Sequence, residues 1–176
     1  MKLKVLNSEI RYHGRAFDVR VDEVEFAPGR TTRLDIIDHP GAVTILPLDG
    51  EGRLWFIRQY RHAAGETLLE LPAGTLKAGE DPMLAANREL QEEIGMRAEK
   101  LEEIATFYLA PGYSTELMHF YLATGLSESA LPQDEDEQIV VVKVPVGDAW
   151  RLVETGNLMD AKSLVGVMAA ARRLGW

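Results

Sequence analysis

Residues Gly74 to Met96 read GTLKAGEDPMLAANRELQEEIGM, and the rest of the chain is organised around them. The second half predicts a helix with both ends marked. Asp81 is a good N-cap, Pro82 sits at the first helical position where its missing N–H does no harm, and Gly95 supplies a left-handed residue to close the other end. About four turns lie between them. Met83, Ala86, Leu90 and Ile94 fall on one apolar stripe, while Glu89 and Glu93 stand one above the other at i, i+4 with Glu92 beside them. Like charges so spaced repel by roughly a few tenths of a kcal/mol per pair on a bare helix, so the cluster is unfavourable unless something positive neutralises it. Arg88, at i, i+4 to Glu92, is one such partner, but one arginine cannot satisfy three carboxylates. Clustered hard oxygen ligands suit Mg²⁺ or Mn²⁺ and leave coordination positions for water and a substrate phosphate. For the helix alone, a solvated acidic face is an equal reading.

The whole stretch decides between the two. Gly74, five residues, Glu80, seven residues, Arg88-Glu89-Leu90, one residue, Glu92-Glu93, one residue, Gly95 and Met96 match the Nudix box at nine positions over 23 residues. The chain therefore resembles a Nudix hydrolase, a family that uses Mg²⁺ or Mn²⁺ to cleave nucleoside diphosphates linked to another moiety. The resemblance implies that Glu89 and Glu93 are metal ligands, followed by Glu92, with the backbone carbonyl of Ala73 completing the set. It also implies that Arg88 orients the acids and that Glu80 supports the loop before the helix.

Signals outside the box resemble the ADP-ribose pyrophosphatase branch of that family. Glu70-Leu71-Pro72-Ala73-Gly74 leads into the box, and Pro111 and Gly112 open a Pro-Gly-x-Ser-x-Glu segment that ends at Glu116. Arg61, in Arg58-Gln59-Tyr60-Arg61, matches the branch's substrate-phosphate arginine, against a plain reading as a surface charge at a strand end. Arg33 and Asp35 match residues that recognise adenine from the partner subunit, although some relatives carry glutamate where Asp35 stands. The run Asp134-Glu135-Asp136-Glu137 reads on composition as a solvated loop. The branch places a catalytic glutamate in an acidic loop at this point, which makes Glu135, and after it Glu137, the candidate general base. Phe17 reads as core or interface, and the histidines, with no ligand spacing among them, as structural or surface.

Composition bounds the alternatives. The 176 residues suffice for one domain with a full core and are too few for two ordinary ones. The chain has no cysteine, which removes disulfides, thiolate metal sites and cysteine nucleophiles together. No apolar run approaches the roughly 18 residues that span a bilayer, and the start has no apolar signal core, so a cytoplasmic protein is expected. A net charge of −9 argues against a nucleic-acid surface, which would need clustered Lys and Arg. A small phosphorylated substrate remains compatible, because charges beyond about 8 Å are screened.

Alternating stretches from Lys4 to Asp38 predict three antiparallel strands, turning at His13-Gly14-Arg15 and Ala27-Pro28-Gly29-Arg30. So thin a sheet exposes an edge and needs a partner. The resemblance implies that it crosses to a second protomer, so residues 1–40 are expected to form a dimerisation sheet and 41–176 the catalytic domain. Ala42 to Leu48 and Leu54 to Gln59, around Asp49-Gly50-Glu51-Gly52, read as a hairpin. A short strand through Leu68 to Leu71 precedes the box, and strands at Ile104 to Leu109, Leu117 to Ala123 and Ile139 to Val144 follow it. Helices are expected around Gly147 to Glu154 and Ala161 to Leu174, the second burying Leu164, Val167, Met168 and Ala171. Strands flanked by helices on two sides suggest an α/β/α sandwich with a mixed sheet, in agreement with the Nudix fold.

The expected function is divalent-metal-dependent hydrolysis of ADP-ribose to AMP and ribose 5-phosphate by a homodimer. Other nucleoside diphosphate sugars or dinucleotides are alternative substrates. A non-catalytic ADP-ribose sensor is weighed against by the intact box acids and the lack of room for a DNA-binding domain. An isomerase on the same fold is weaker still.

Overall fold

The computed structural model describes residues 3–133 and 137–175. By their packing the residues fall into two units, Met1–Gly41 with Tyr108–Leu117, and Ala42–Phe107 with Met118–Trp176.

In the first unit, β1 (Lys4–His13), β2 (Asp18–Ala27) and β3 (Arg30–Asp38) form an antiparallel sheet in chain order. Only the middle strand buries residues, Asp22 and Val24, while every residue of β1 is exposed. The segment 108–117 is stitched to the end of β3. Ile37 N–H donates to Tyr113 O (2.7 Å), Thr115 N–H donates to Ile37 O (3.0 Å), and His39 N–H donates to Thr115 Oγ1 (2.8 Å).

The second unit is built from two sheets and three helices. Strands β7 (Ala73–Thr75), β4 (Ala42–Pro47), β9 (Leu117–Glu128) and β8 (Met96–Tyr108) lie in that order in one sheet, with β4 parallel to β9 and antiparallel to β7. Strands β10 (Ile139–Pro145), β5 (Arg53–Arg61) and β6 (Glu66–Glu70) form an antiparallel second sheet. Successive side chains of a strand point to opposite faces, and here both faces are buried. Val43, Ile45, Trp55, Ile57, Tyr121 and Ala123 pack with Ala85, Ala86, Leu90 and Ile94 at α1 (Pro82–Glu93). Their alternates Leu46, Leu54, Phe56, Phe120 and Leu122 pack with Ala149 of α2 (Val146–Glu154) and with Val167 and Ala170 of α3 (Ala161–Leu174). Helices thus cover two sides of the sheets, as the α/β/α sandwich requires.

The expected hairpin is corrected. Strands β4 and β5 pair only at the bridge Leu48↔Leu54 just past β4 and otherwise belong to different sheets. Both edges of each strand are already taken, β4 by β7 and β9, β5 by β10 and β6. Asp49 shapes the corner instead, its carboxylate accepting from Glu51 N–H (2.9 Å), Arg53 N–H (2.9 Å) and Trp55 Nε1–H (2.9 Å). One apolar position is corrected too: Met168 (50% exposed) lies outside the core that helical periodicity assigned it, and on α1 the stripe residue Met83 is 48% exposed. Among the described residues, no helix is long and apolar enough to cross a membrane.

Candidate active site

The helix that carries the acids is fixed at both ends. The Asp81 carboxylate accepts from Met83 N–H (2.8 Å) and Leu84 N–H (3.2 Å), with Pro82 in the first turn, and Gly95 takes φ +69° just past the other end. Glu89 (8% exposed) and Glu93 (2% exposed) are buried, which acidic side chains rarely are unless something compensates them.

Arg88 supplies part of that compensation. Its Nη1 donates to Glu89 Oε1 (2.6 Å) and Glu92 Oε2 (2.8 Å), while Nε and Nη2 form a fork on Glu80 (2.9 and 3.0 Å). The second Glu80 oxygen also accepts Lys77 N–H (2.9 Å), which ties the loop before the helix to the same arginine. Glu93 lies beyond this fork. Its Oε2 accepts the backbone N–H of Ala73 (2.9 Å), the first residue of β7. The next residue, Gly74, lies against Glu89, and a Cβ there would stand 2.0 Å from the Glu89 carboxyl carbon. A side chain at this position would displace the Glu89 carboxylate, whereas the backbone conformation itself would accept any residue.

Burial pushes the Glu89 carboxyl up to about 7; Arg88 pulls it down, and the charges of Glu92 and Glu137 push it further up. Glu93 is raised well above the usual carboxylate range by burial, then by Glu89, and only partly relieved by the Ala73 N–H. Glu80 falls to about 2 because Arg88 donates to it. Two adjacent buried carboxyls that resist ionisation are the electrostatic complement of a cation. No group of three or more His, Asp or Glu side chains among the described residues is arranged to hold a metal. The candidate donors are the carboxylates of Glu89, Glu93 and Glu92, with Arg88 on one oxygen of Glu89 and one of Glu92, and the carbonyl of Ala73, whose N–H already meets Glu93. So small a set fits Mg²⁺ or Mn²⁺, which keep several waters and take substrate oxygens.

Of the acidic loop, Glu135 lies outside the described residues. Glu137 is half-buried, and its charge bears on both Glu89 and Glu93. It also lines, with Arg58, Tyr60, Thr67 and Gln133, a cavity of about 450 Å³.

Arg61 grips Glu70 with two parallel bonds, Nε to Oε1 (2.7 Å) and Nη2 to Oε2 (2.8 Å). Sequence reasoning missed what stands behind this pair. Lys162 Nζ donates to Glu70 Oε2 and to Asp160 Oδ2, and Ser163 Oγ accepts Leu71 N–H (2.7 Å). The only hint was Asp160 as an N-cap before a helical pattern; a contact spanning 92 residues leaves no local signal. The remaining candidates lie in the first unit. Arg33 and Asp35 are exposed, two residues apart on one face of β3, and the stitched segment carries Pro111, Gly112 and Glu116.

Residues 38–164 match the NUDIX domain family. The chain is 39% identical over 166 residues to an ADP-ribose pyrophosphatase of Bacillus subtilis (strain 168), covering 93% of this chain and 90% of that one. It is 35% identical over 166 residues to a methanol dehydrogenase activator of Bacillus methanolicus, with the same coverage, 93% and 90%. A crystal structure of an ADP compounds hydrolase superposes with a TM-score of 0.87 at 27% identity, over 99% of this chain and 95% of that one. With Glu80, Glu89 and Glu92 held by Arg88 and the match spanning most of its length, the chain belongs to the NUDIX domain family, as one of its hydrolases.

Proposed function

We propose that this protein hydrolyses ADP-ribose to AMP and ribose 5-phosphate with Mg²⁺ or Mn²⁺, as a cytoplasmic homodimer. The observation that carries the chemistry is the pair Glu89 and Glu93, buried side by side, with Glu89 held by Arg88 and Glu93 kept from ionising by burial and by Glu89, an effect that Ala73 N–H and the charge of Lys162 only partly offset. The named relatives support the choice of substrate.

A divalent ion held by Glu89, Glu93 and the Ala73 carbonyl would neutralise pyrophosphate oxygens and lower the pKa of water. The chain's own residues do the rest. Arg88 holds Glu89 and Glu92 in fixed orientation. Arg61, held by Glu70 on its Nε and Nη2 side, presents its Nη1 side to a substrate phosphate. Glu135, or after it Glu137, takes a proton from the attacking water; the water oxygen bonds to one phosphorus as the bridging P–O bond breaks, and the bridging oxygen leaves on the other product. Arg33 and Asp35 hold the adenine from the partner protomer, and Pro111, Gly112 and Glu116 line the substrate. The dimer reading is supported by β1, whose Val5, Leu6, Ile10 and Tyr12 are all 44% exposed or more.

The test is a panel of ADP-ribose, ADP-glucose, GDP-mannose, NADH and diadenosine polyphosphates, assayed with each metal for release of mononucleotide. AMP release fastest from ADP-ribose is expected. Binding of ADP-ribose without turnover under either metal would replace the enzyme with a sensor, and faster turnover of another substrate would move the specificity.

A further inference from the structure

The first turn of α3 reaches back to the strand that precedes the box. Gly166 makes the approach possible, because a Cβ there would lie 2.8 Å from Leu71 Cδ1 and 2.9 Å from Phe120 Cε2. Ser163 Oγ accepts Leu71 N–H (2.7 Å), and Lys162 Nζ enters the space behind Glu70, donating to its Oε2 and to Asp160 Oδ2 (2.9 Å). Asp160 in turn accepts Ser163 N–H (3.0 Å) as the cap of α3.

This makes a chain of charges, Asp160, Lys162, Glu70 and Arg61, buried most deeply at Glu70 and most exposed at the arginine. The side chain of Glu70 is 1% exposed and that of Lys162 9%, whereas that of Arg61 is 40% exposed. A single carboxylate buried behind one half-exposed arginine would be poorly held, since it could follow the arginine's motion. A second cation from a capped helix fixes it. The formal charges also cancel, two positive against two negative, so the cluster adds no net negative charge beside a site that must receive an anion.

We propose that Lys162 is a positioning residue that, through Glu70, aims the guanidinium of Arg61 at a phosphate of the substrate. This rests on the reading of Arg61 given above. Lysine rather than arginine suits the place, because a compact ammonium fits the space shared by two carboxylates, whereas a planar fork would engage one of them.

The experiment measures binding of the methylene-bridged analogue of ADP-ribose, in which CH₂ replaces the bridging oxygen, by calorimetry to Arg61→Lys, Lys162→Met and Lys162→Arg, together with kcat and KM for ADP-ribose. Arg61→Lys and Lys162→Met are each expected to weaken the analogue at least ~10-fold and to raise KM in proportion, with kcat of Lys162→Met within ~3-fold, and Lys162→Arg to recover part of the loss. Weakening by Arg61→Lys but not by Lys162→Met overturns the role of Lys162 alone. No weakening by Arg61→Lys overturns the reading of Arg61 and the proposal with it. A merely structural lysine would lower the melting temperature and leave KM unmoved, which also overturns it. Should Lys162→Met fail to fold, nitrogen-15 NMR of the wild-type protein decides. The Arg61 Nε–H and the Lys162 ammonium are expected to be protected from exchange before the analogue is added. Arg61 protection that appears only on binding would show that the ligand, not Lys162, sets the orientation.

Discussion

The backbone N–H of Ala73 donates to the carboxylate of Glu93 at 2.9 Å, joining the first residue of β7 to the last residue of α1 across 20 residues of sequence. The bond both satisfies an N–H and fixes a buried acid against β7, so strand and helix meet at this carboxylate. It also partly offsets the burial and the repulsion from Glu89 that keep Glu93 from ionising.

Glu93→Gln keeps the size of this side chain and removes its charge. Turnover of ADP-ribose is expected to fall at least ~100-fold, as when an electrostatic contribution centred on a metal is lost. The fold survives, because the amide oxygen still accepts Ala73 N–H. Near-wild-type rates at saturating Mg²⁺ would remove Glu93 from the ligand set.

Gly74→Ala places a methyl 2.0 Å from the Glu89 carboxyl carbon, so either β7 or Glu89 must move. Overpacking of this kind costs about 1–3 kcal/mol. Because the displaced group is a candidate ligand, calorimetric Mn²⁺ affinity is expected to fall as well. A variant with wild-type melting temperature and wild-type Mn²⁺ affinity would contradict the close approach.

Without metal, stability should fall as pH rises from the unfolded carboxylate range, near 4.5, through about 7, the value to which burial lifts Glu89. In that window the native protein binds more protons than the unfolded chain, so each rise in pH favours unfolding. A divalent ion reverses the trend, since it binds the ionised acids and releases their protons. Thermal melts across pH 4.5–8, with chelator and with Mn²⁺, check the sign; a metal-free protein that gains stability over that window would refute it.

Glu137→Gln is expected to lower kcat by ~100-fold or more with little change in substrate or metal affinity, because a base acts mainly in the transition state. Its charge already bears on Glu89 and Glu93. Glu135→Gln is the comparison. If both single variants and the double variant keep kcat within ~3-fold, the acidic loop is not the base, and Glu92 or metal-activated water becomes the better account.

Assembly is checked by light scattering at assay concentration, where a dimer is expected. Ile10→Asp places a charge on the exposed β1 strand and is expected to shift the protein toward monomer with loss of activity. A fully active wild-type monomer would remove the case for Arg33 and Asp35 acting from a partner.

Local chemistry is written in sequence, and so the sequence by itself determined α1: its Asp81 cap, its Gly95 end, and the spacing that stacks Glu89 on Glu93. It also determined the family, because nine residues at fixed spacing suffice to recognise the box, and the sandwich, because runs of strand pattern alternate with helical ones. It misassigned the partners of β4 and β5, since a turn and two apolar runs cannot reveal that both edges of each strand are taken by distant segments. Met168 was misassigned because helical period marks a face without saying how far the neighbouring layer extends over it. The tertiary structure alone decided that Gly74 is needed for contact with Glu89 rather than for its backbone angle, that Arg88 reaches Glu80, and that Lys162 backs Glu70. Each of these depends on which surfaces meet after the chain has folded, and pairing between groups up to 92 residues apart is fixed by packing rather than by any neighbour in sequence.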